Sequence, residues 1–189
     1  MRVISGSAKG IQLASVPGKS TRPITDQVKE ALFNILGPSI VGLTILDLFG
    51  GTGAVGIEAL SRGAEHAVFL EINYKAFKII QQNLKATQLE AYATVLKKDA
   101  FTFLREDHEE QFDLVYIAPP QYEGLWLKAI LALDEKPELV RPWERVIVQI
   151  HPKEFDEEIQ YNHFRIYDQR KYGDTLLVFY ERILPEENL

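Results

Sequence analysis

Cysteine is absent from this 189-residue chain. That removes disulfide bonds, thiol nucleophiles and cysteine-ligated zinc together, and it fits a cytoplasmic protein. Histidine is scarce, and His66, His108, His151 and His163 show no metal-ligand spacing, so no metal is expected. His66 reads as the start of a strand and the other three as loop or surface residues. No apolar run approaches the roughly 18–20 residues needed to span a bilayer. The N-terminus turns polar within a few residues and is not expected to be a signal peptide, nor a membrane to be a partner. Internal repeats and low-complexity segments are missing too.

A surplus of positive charge is also lacking: the chain carries a net charge of −6, which argues against a generic nucleic-acid binder. Distribution matters more than the sum. Within residues 1–30, Arg2, Lys9, Lys19, Arg22 and Lys29 face only Asp26 and Glu30. A small basic arm on an acidic body can still hold phosphates locally, although a solvated surface with chance clustering gives the same pattern.

Hydrophobic residues make up 46% and charged residues 25%, enough to fill one core and remain soluble. Disorder is expected only in the Pro185–Leu189 tail. The opening RVISGSAKGIQLASV reads as two short β-runs around Gly6 and Gly10, a hairpin over residues 1–20. PGKSTRP reads as an exposed linker. Thr25 can cap a helix to about Leu36, with Val28, Leu32, Ile35 and Leu36 on one face and Gly37-Pro38 as its stop.

From Thr44 the rhythm changes. TILDLF, HAVFLE, YATVLKK and FDLVYI read as strands. AVGIEALSR and YKAFKIIQQNLKA read as helices between them, and a further helix spans about Leu125–Leu133. RVIVQI is the next strand. FRIYDQRKYGDTLLVFYE closes the chain as a hairpin turning near Tyr172-Gly173-Asp174. Strands alternating with helices imply a mostly parallel sheet with right-handed crossovers, and the last hairpin implies an antiparallel edge. Ligands of such sheets bind beyond the carboxyl ends of the strands, so the first residues after each strand carry the most weight.

After the first strand comes Asp47-Leu48-Phe49-Gly50-Gly51-Thr52-Gly53-Ala54-Val55-Gly56. Gly51, Gly53 and Gly56 satisfy G-x-G-x-x-G, which alone is a weak signal because tight strand-to-helix turns also favour glycine. The preceding acid separates two cofactors. A pyrophosphate at the helix N-terminus is ill matched to Asp47, whereas the amine and sulfonium of S-adenosylmethionine suit it. Glu71 ends the second strand, where a carboxylate can accept from both ribose hydroxyls of either cofactor. Asp99 ends the third, where it can accept from the adenine amine. Each acid alone could be a cap or turn residue.

The fourth strand runs into Ala118-Pro119-Pro120-Gln121-Tyr122, where a methyl acceptor would lie beside such a donor. Methyl transfer to an exocyclic amine is an in-line displacement, so alignment supplies much of the rate. The amine of a base is a poor nucleophile because its lone pair is delocalised into the ring. Carbonyls accepting its N–H bonds help it pyramidalise. Pro119 and Pro120 present acceptors without competing donors, and Tyr122 can stack on a flipped base. An ordinary Pro-Pro turn has the same sequence. Trp126 and Trp143 are expected to pack the sheet.

DLFGGTG, Glu71, KKDA and APPQY resemble the S-adenosylmethionine-dependent amino-methyltransferases. STRPITDQVKEALFNIL and GIEALSRGA narrow the resemblance to the RsmD-type bacterial enzymes, which methylate the guanine N2 amine of 16S ribosomal RNA. It runs from Arg2 to about Tyr122, and more loosely beyond. It implies a Rossmann-like class I methyltransferase: a mostly parallel seven-stranded sheet, an antiparallel C-terminal edge hairpin and a small N-terminal β-hairpin. It also implies an RNA-contact arm over residues 1–20, a methyltransferase domain over 21–189, and 16S rRNA or small-subunit particles as partner of a monomer. The implied cofactor set is Thr25, Asp47, Phe49, Gly50, Gly51, Gly53, Glu71, Ile72, Asp99 and Ala100. The implied acceptor set is Ala118, Pro119, Pro120, Gln121 and Tyr122, and the implied RNA contacts are Arg2, Lys9, Arg22 and Lys29.

One departure stands out. The family has Asp where this chain has Ala118, and the aromatic is displaced by one residue. Ala118 has no side-chain acceptor, a loss of roughly 1–3 kcal/mol, and the carbonyl of Gln121 is a candidate substitute. A non-catalytic RNA-binding assembly factor on the same fold is therefore a second reading. A nicotinamide-dependent oxidoreductase is a third, resting on the glycine spacing alone.

Overall fold

A computed structural model of the chain describes residues 1–16 and 24–184. The whole PGKSTRP linker, Arg22 included, and the Pro185–Leu189 tail lie outside the described residues. Seven strands form one sheet: β1 (Thr44–Asp47), β2 (His66–Leu70), β3 (Ala93–Leu96), β4 (Phe112–Ile117), β5 (Val140–Ile150), β6 (Phe164–Tyr172) and β7 (Thr175–Arg182). Their spatial order is β3-β2-β1-β4-β5-β7-β6. Strands β1 to β5 run parallel, while β7 is antiparallel to both neighbours. The order reverses between β1 and β4, the switch point where such sheets open a crevice.

Strands β1, β2 and β4 are mostly apolar and buried because both faces are covered. On one face α1 (Asp26–Leu36), α2 (Ala54–Ser61) and α3 (Tyr74–Thr87) supply Leu32, Phe33, Ile57 and Ile80 to one core cluster. On the other, α4 (Ala100–Arg105) and α5 (Leu125–Glu135) supply Phe101, Leu104, Ile130 and Leu133 to a second. Helix starts follow capping chemistry: Thr25 Oγ1 accepts from Val28 N, Asn73 Oδ1 from Lys75 N and Ala76 N, and Asp99 Oδ1 from Thr102 N.

The N-terminal segment is a small hairpin: Arg2 and Gln12 form an antiparallel bridge, and Val3 N donates to Ile11 O and Leu13 N to Met1 O, both at 3.0 Å. Other backbone donors of the segment turn to α2. Ile4 N and Ser5 N donate to the Glu58 carboxylate at 2.8 and 3.0 Å, and Ala8 N donates to Ser61 Oγ at 2.9 Å. Gly6 lies so close to α2 that a Cβ there would sit 1.7 Å from Ser61 O, so no other residue fits. The segment is thus part of the main core, with Val3, Ala8 and Leu13 buried in it.

Strand β5 begins five residues earlier than RVIVQI, with a register shift opposite Phe112 and Leu114. Within that added stretch Trp143 adopts left-handed backbone (φ 65°) and stays 57% exposed, so it does not pack the sheet, whereas Trp126 does. The outer strand β6 also breaks register between Ile166 and Asp168.

A further correction concerns Lys29. It is fully buried, with Nζ 3.2 Å from Glu58 Oε2 and donating to the carbonyl of Arg2. Burial lowers its pKa, and Glu58 opposes that fall. Lys29 therefore holds the N-terminal segment against α2 and is not available to RNA.

Candidate active site

The four parallel strands β3, β2, β1 and β4 place Asp99, Glu71, Asp47 and Ala118 at one edge of the sheet, in that spatial order. The sequence scatters them over more than seventy positions and the topology lines them up. Asp47 pairs in register with Phe69 on one side and Tyr116 on the other.

Asp47 is 2% exposed, and its Oδ1 has no hydrogen-bond partner. Burial raises its pKa from 3.8 to about 7, a backbone N–H at Phe49 opposes the rise, and nearby Glu71 adds to it. An orphaned carboxylate oxygen at the mouth of a parallel sheet is suited to a cationic ligand atom. Tyr116, its neighbour on β4, is buried and its hydroxyl donates to Gln149 Oε1. Burial and the proximity of Asp47 push that phenol well above its ordinary pKa.

The glycine loop turns between β1 and α2 through left-handed backbone at Gly51 (φ 57°) and Gly53 (φ 76°). Gly50 N donates to Leu70 O at 2.8 Å and Gly53 N to Gly50 O at 2.7 Å. Gly56 is needed for contact: a Cβ there would lie 2.3 Å from the Phe69 ring. The Glu71 carboxylate closes the loop from β2, accepting from Gly51 N at 2.9 Å and Asn73 N at 2.7 Å. A carboxylate offers about four acceptor positions, so two remain for ribose hydroxyls.

Phe49 meets Phe101 edge-on at 6.2 Å, linking the glycine loop to the start of α4. Ala100 is buried beside it, and Ile72 is 64% exposed at the rim. Asp99 caps α4 through Oδ1 alone. Thr25 is spent on capping α1. Arg2 and Lys9 are exposed and line a shallow groove with Asp26 and Glu30, where Arg2 N donates to Asp26 Oδ1 at 3.3 Å.

At the end of β4, Ala118 is partly buried against the core, Pro119 is buried, Pro120 and Tyr122 are exposed. Tyr122 has left-handed backbone, φ 62°. Among the described residues no group of three His, Asp or Glu is placed to hold a metal ion, and no helix is long and apolar enough to cross a membrane.

The model of the family described as conserved hypothetical protein 95 matches residues 1–181. The chain belongs to this family, the RsmD family. YlbH of Bacillus subtilis (strain 168) is 39% identical over 184 residues, covering 96% of this chain and 99% of that protein. The ribosomal RNA small subunit methyltransferase D of Escherichia coli (strain K12) is 36% identical over 135 residues, covering 71% of this chain and 67% of that protein. The solved structure of yhhF from Escherichia coli superposes with a TM-score of 0.84 at 31% identity, covering 98% of this chain and 99% of that one. The resemblance read from TRPITDQVKEALFNIL is borne out, and the fold is that of the class I methyltransferases.

Two functional-edge residues escape sequence reasoning. Asn83 on α3 is 1% exposed and donates to Thr52 O and Ala14 O while accepting from Ala14 N, so one amide ties the glycine loop to the N-terminal segment. Glu154 receives Tyr122 N at 2.8 Å. Asn83 lies inside α3, where no local signal marks it, and Glu154 follows β5, with nothing in the sequence to tie that strand end to the acceptor turn.

Proposed function

We propose that this protein transfers a methyl group from S-adenosylmethionine to the exocyclic N2 amine of a guanine in 16S ribosomal RNA. The observation that carries the reading is Asp47: a buried carboxylate with an unmet oxygen, one strand away from the APPQY turn. The residues present fit the cofactor. Asp47 would take its ammonium group, Gly51 and Gly53 its methionyl backbone, Glu71 its ribose, and Phe49 with Asp99 and Ala100 its adenine. When bound, S-adenosylmethionine supplies an electrophilic methyl on a sulfonium.

The chain's own part is to align and desolvate. The carbonyls around Pro119 accept the N–H bonds of the amine, so its lone pair turns toward the methyl as the nitrogen pyramidalises. Tyr122 stacks on the base, and the exposed Arg2 and Lys9 hold phosphates of the flanking RNA. The relatives named as ribosomal RNA small subunit methyltransferase D support the choice of substrate.

The test is incorporation of labelled methyl from S-adenosylmethionine into 16S RNA or small-subunit particles, with primer extension in cells with and without the protein to locate the base. Bound cofactor with no incorporation into any RNA would sink the proposal. Ala118 favours one second reading, a non-catalytic RNA-binding assembly factor. In that case Ala118→Asp would create activity in an inert parent, and an active parent excludes it.

A further inference from the structure

The acceptor turn is held from a part of the chain some thirty residues away. Immediately after β5, Pro152–Glu154 forms a short 3₁₀ turn capped by His151. Glu154 uses both carboxylate oxygens. Oε2 accepts from Tyr122 N at 2.8 Å, and Oε1 accepts from His151 N at 3.3 Å. The His151 ring lies 5.4 Å from the Tyr122 ring, tilted by 40°. His151 is itself oriented: Nδ1 accepts from Lys153 N at 3.1 Å, and Nε2 stands 3.8 Å from Asp174 Oδ1 in the β6–β7 turn. Tyr122 is 66% exposed, so the rest of its ring faces outward.

Left-handed backbone at a tyrosine is costly and persists where its surroundings fix it. Here it folds an aromatic displaced by Gln121 toward the end of β5. Ala118 supplies no side-chain acceptor, so alignment of a base falls to the turn's carbonyls and to this ring. We infer that Glu154 and His151 are positioning residues for the methyl acceptor: Glu154 sets the backbone of Tyr122, and His151 backs its ring as a platform for the stacked base. The inference rests on the proposed function. It adds two residues that act through Tyr122 and touch neither donor nor amine.

The test compares the full-length parent with Glu154→Ala, His151→Ala and His151→Phe. Glu154→Ala is expected to lower kcat by about tenfold or more through misalignment, with S-adenosylhomocysteine affinity held within about twofold because the cofactor strands are untouched. His151→Phe, which keeps a ring behind Tyr122, should retain most of the activity that His151→Ala loses. Parental kcat in Glu154→Ala, or equal loss in both His151 variants, overturns the inference. A parent that transfers no methyl would refute the proposed function, and the platform is then read by polarisation with fluorescein-labelled 16S RNA. Binding about tenfold weaker in Glu154→Ala supports it, as expected for a lost stacking residue. Unchanged binding, or no binding by either protein, overturns it.

Discussion

Asp47→Asn removes a carboxylate that the cofactor-free core accommodates poorly. A carboxyl whose pKa is raised from 3.8 to about 7 carries a penalty of about 4 kcal/mol when ionised in the folded state, at about 1.4 kcal/mol per tenfold change in acidity. The sign follows from proton counts. Below pH 4 both states hold the proton and the penalty vanishes. Between pH 4 and 7 the unfolded chain loses its proton first, so the parent loses stability as pH rises. Above pH 7 the penalty is complete. Asparagine does not titrate, although its buried amide brings a desolvation cost of roughly 1–3 kcal/mol of its own. The stability of the variant minus that of the parent should therefore climb by about 4 kcal/mol from pH 4 to pH 8, measured by urea unfolding across that range. The same variant should lose about 2–5 kcal/mol of affinity for S-adenosylhomocysteine in calorimetry, because the ligand's ammonium loses its charged partner. In the parent, affinity should fall about tenfold per pH unit below 7, since binding must first expel the Asp47 proton. A stability difference that is flat with pH would refute the claim that Asp47 is held against its own ionisation.

Ala118→Asp should raise kcat by about tenfold or more by restoring a side-chain acceptor. An unaltered kcat would mean that the turn's carbonyls already suffice. Gly56→Ala forces a Cβ to within 2.3 Å of the Phe69 ring and should cost roughly 1–3 kcal/mol, read as a lower urea midpoint. Glu58→Ala leaves Lys29 without its carboxylate partner, and Arg62 and the amides of Ile4 and Ser5 without the acceptor they share. It should destabilise by roughly 3–5 kcal/mol and abolish hydrogen-exchange protection at Ile4 and Ser5.

What could be read in the sequence were the elements whose signal is local. FDLVYI is apolar but for Asp113 and is followed, after Ala118, by two prolines, and β4 spans those six residues. Thr25 and Gly37 bracket α1 as capping chemistry dictates. The strand-end acids were legible because a parallel sheet turns sequence position into spatial order. The first half of β5 was not: Arg141, Pro142 and Trp143 are polar, breaker and bulky, and only pairing across a bulge makes them strand. Helix α4 is six residues long, too short for a period to show. Lys29 looked like a surface cation because burial by the N-terminal segment is a tertiary event. Glu154 and His151 reach the acceptor turn only through the fold.

The break in register on β6 has a consequence for the chain's behaviour among its neighbours. An outer strand leaves a row of unpaired N–H and C=O groups that invites another chain to add on. Here that strand is bulged between Ile166 and Asp168 and carries Arg165, Arg170 and Lys171, with Arg170 paired to Asp168 at 2.9 Å. At the opposite margin β3 offers only four residues. The sheet thus ends in a bent, charged border on one side and a short one on the other, and strand-on-strand aggregation finds no long flat template.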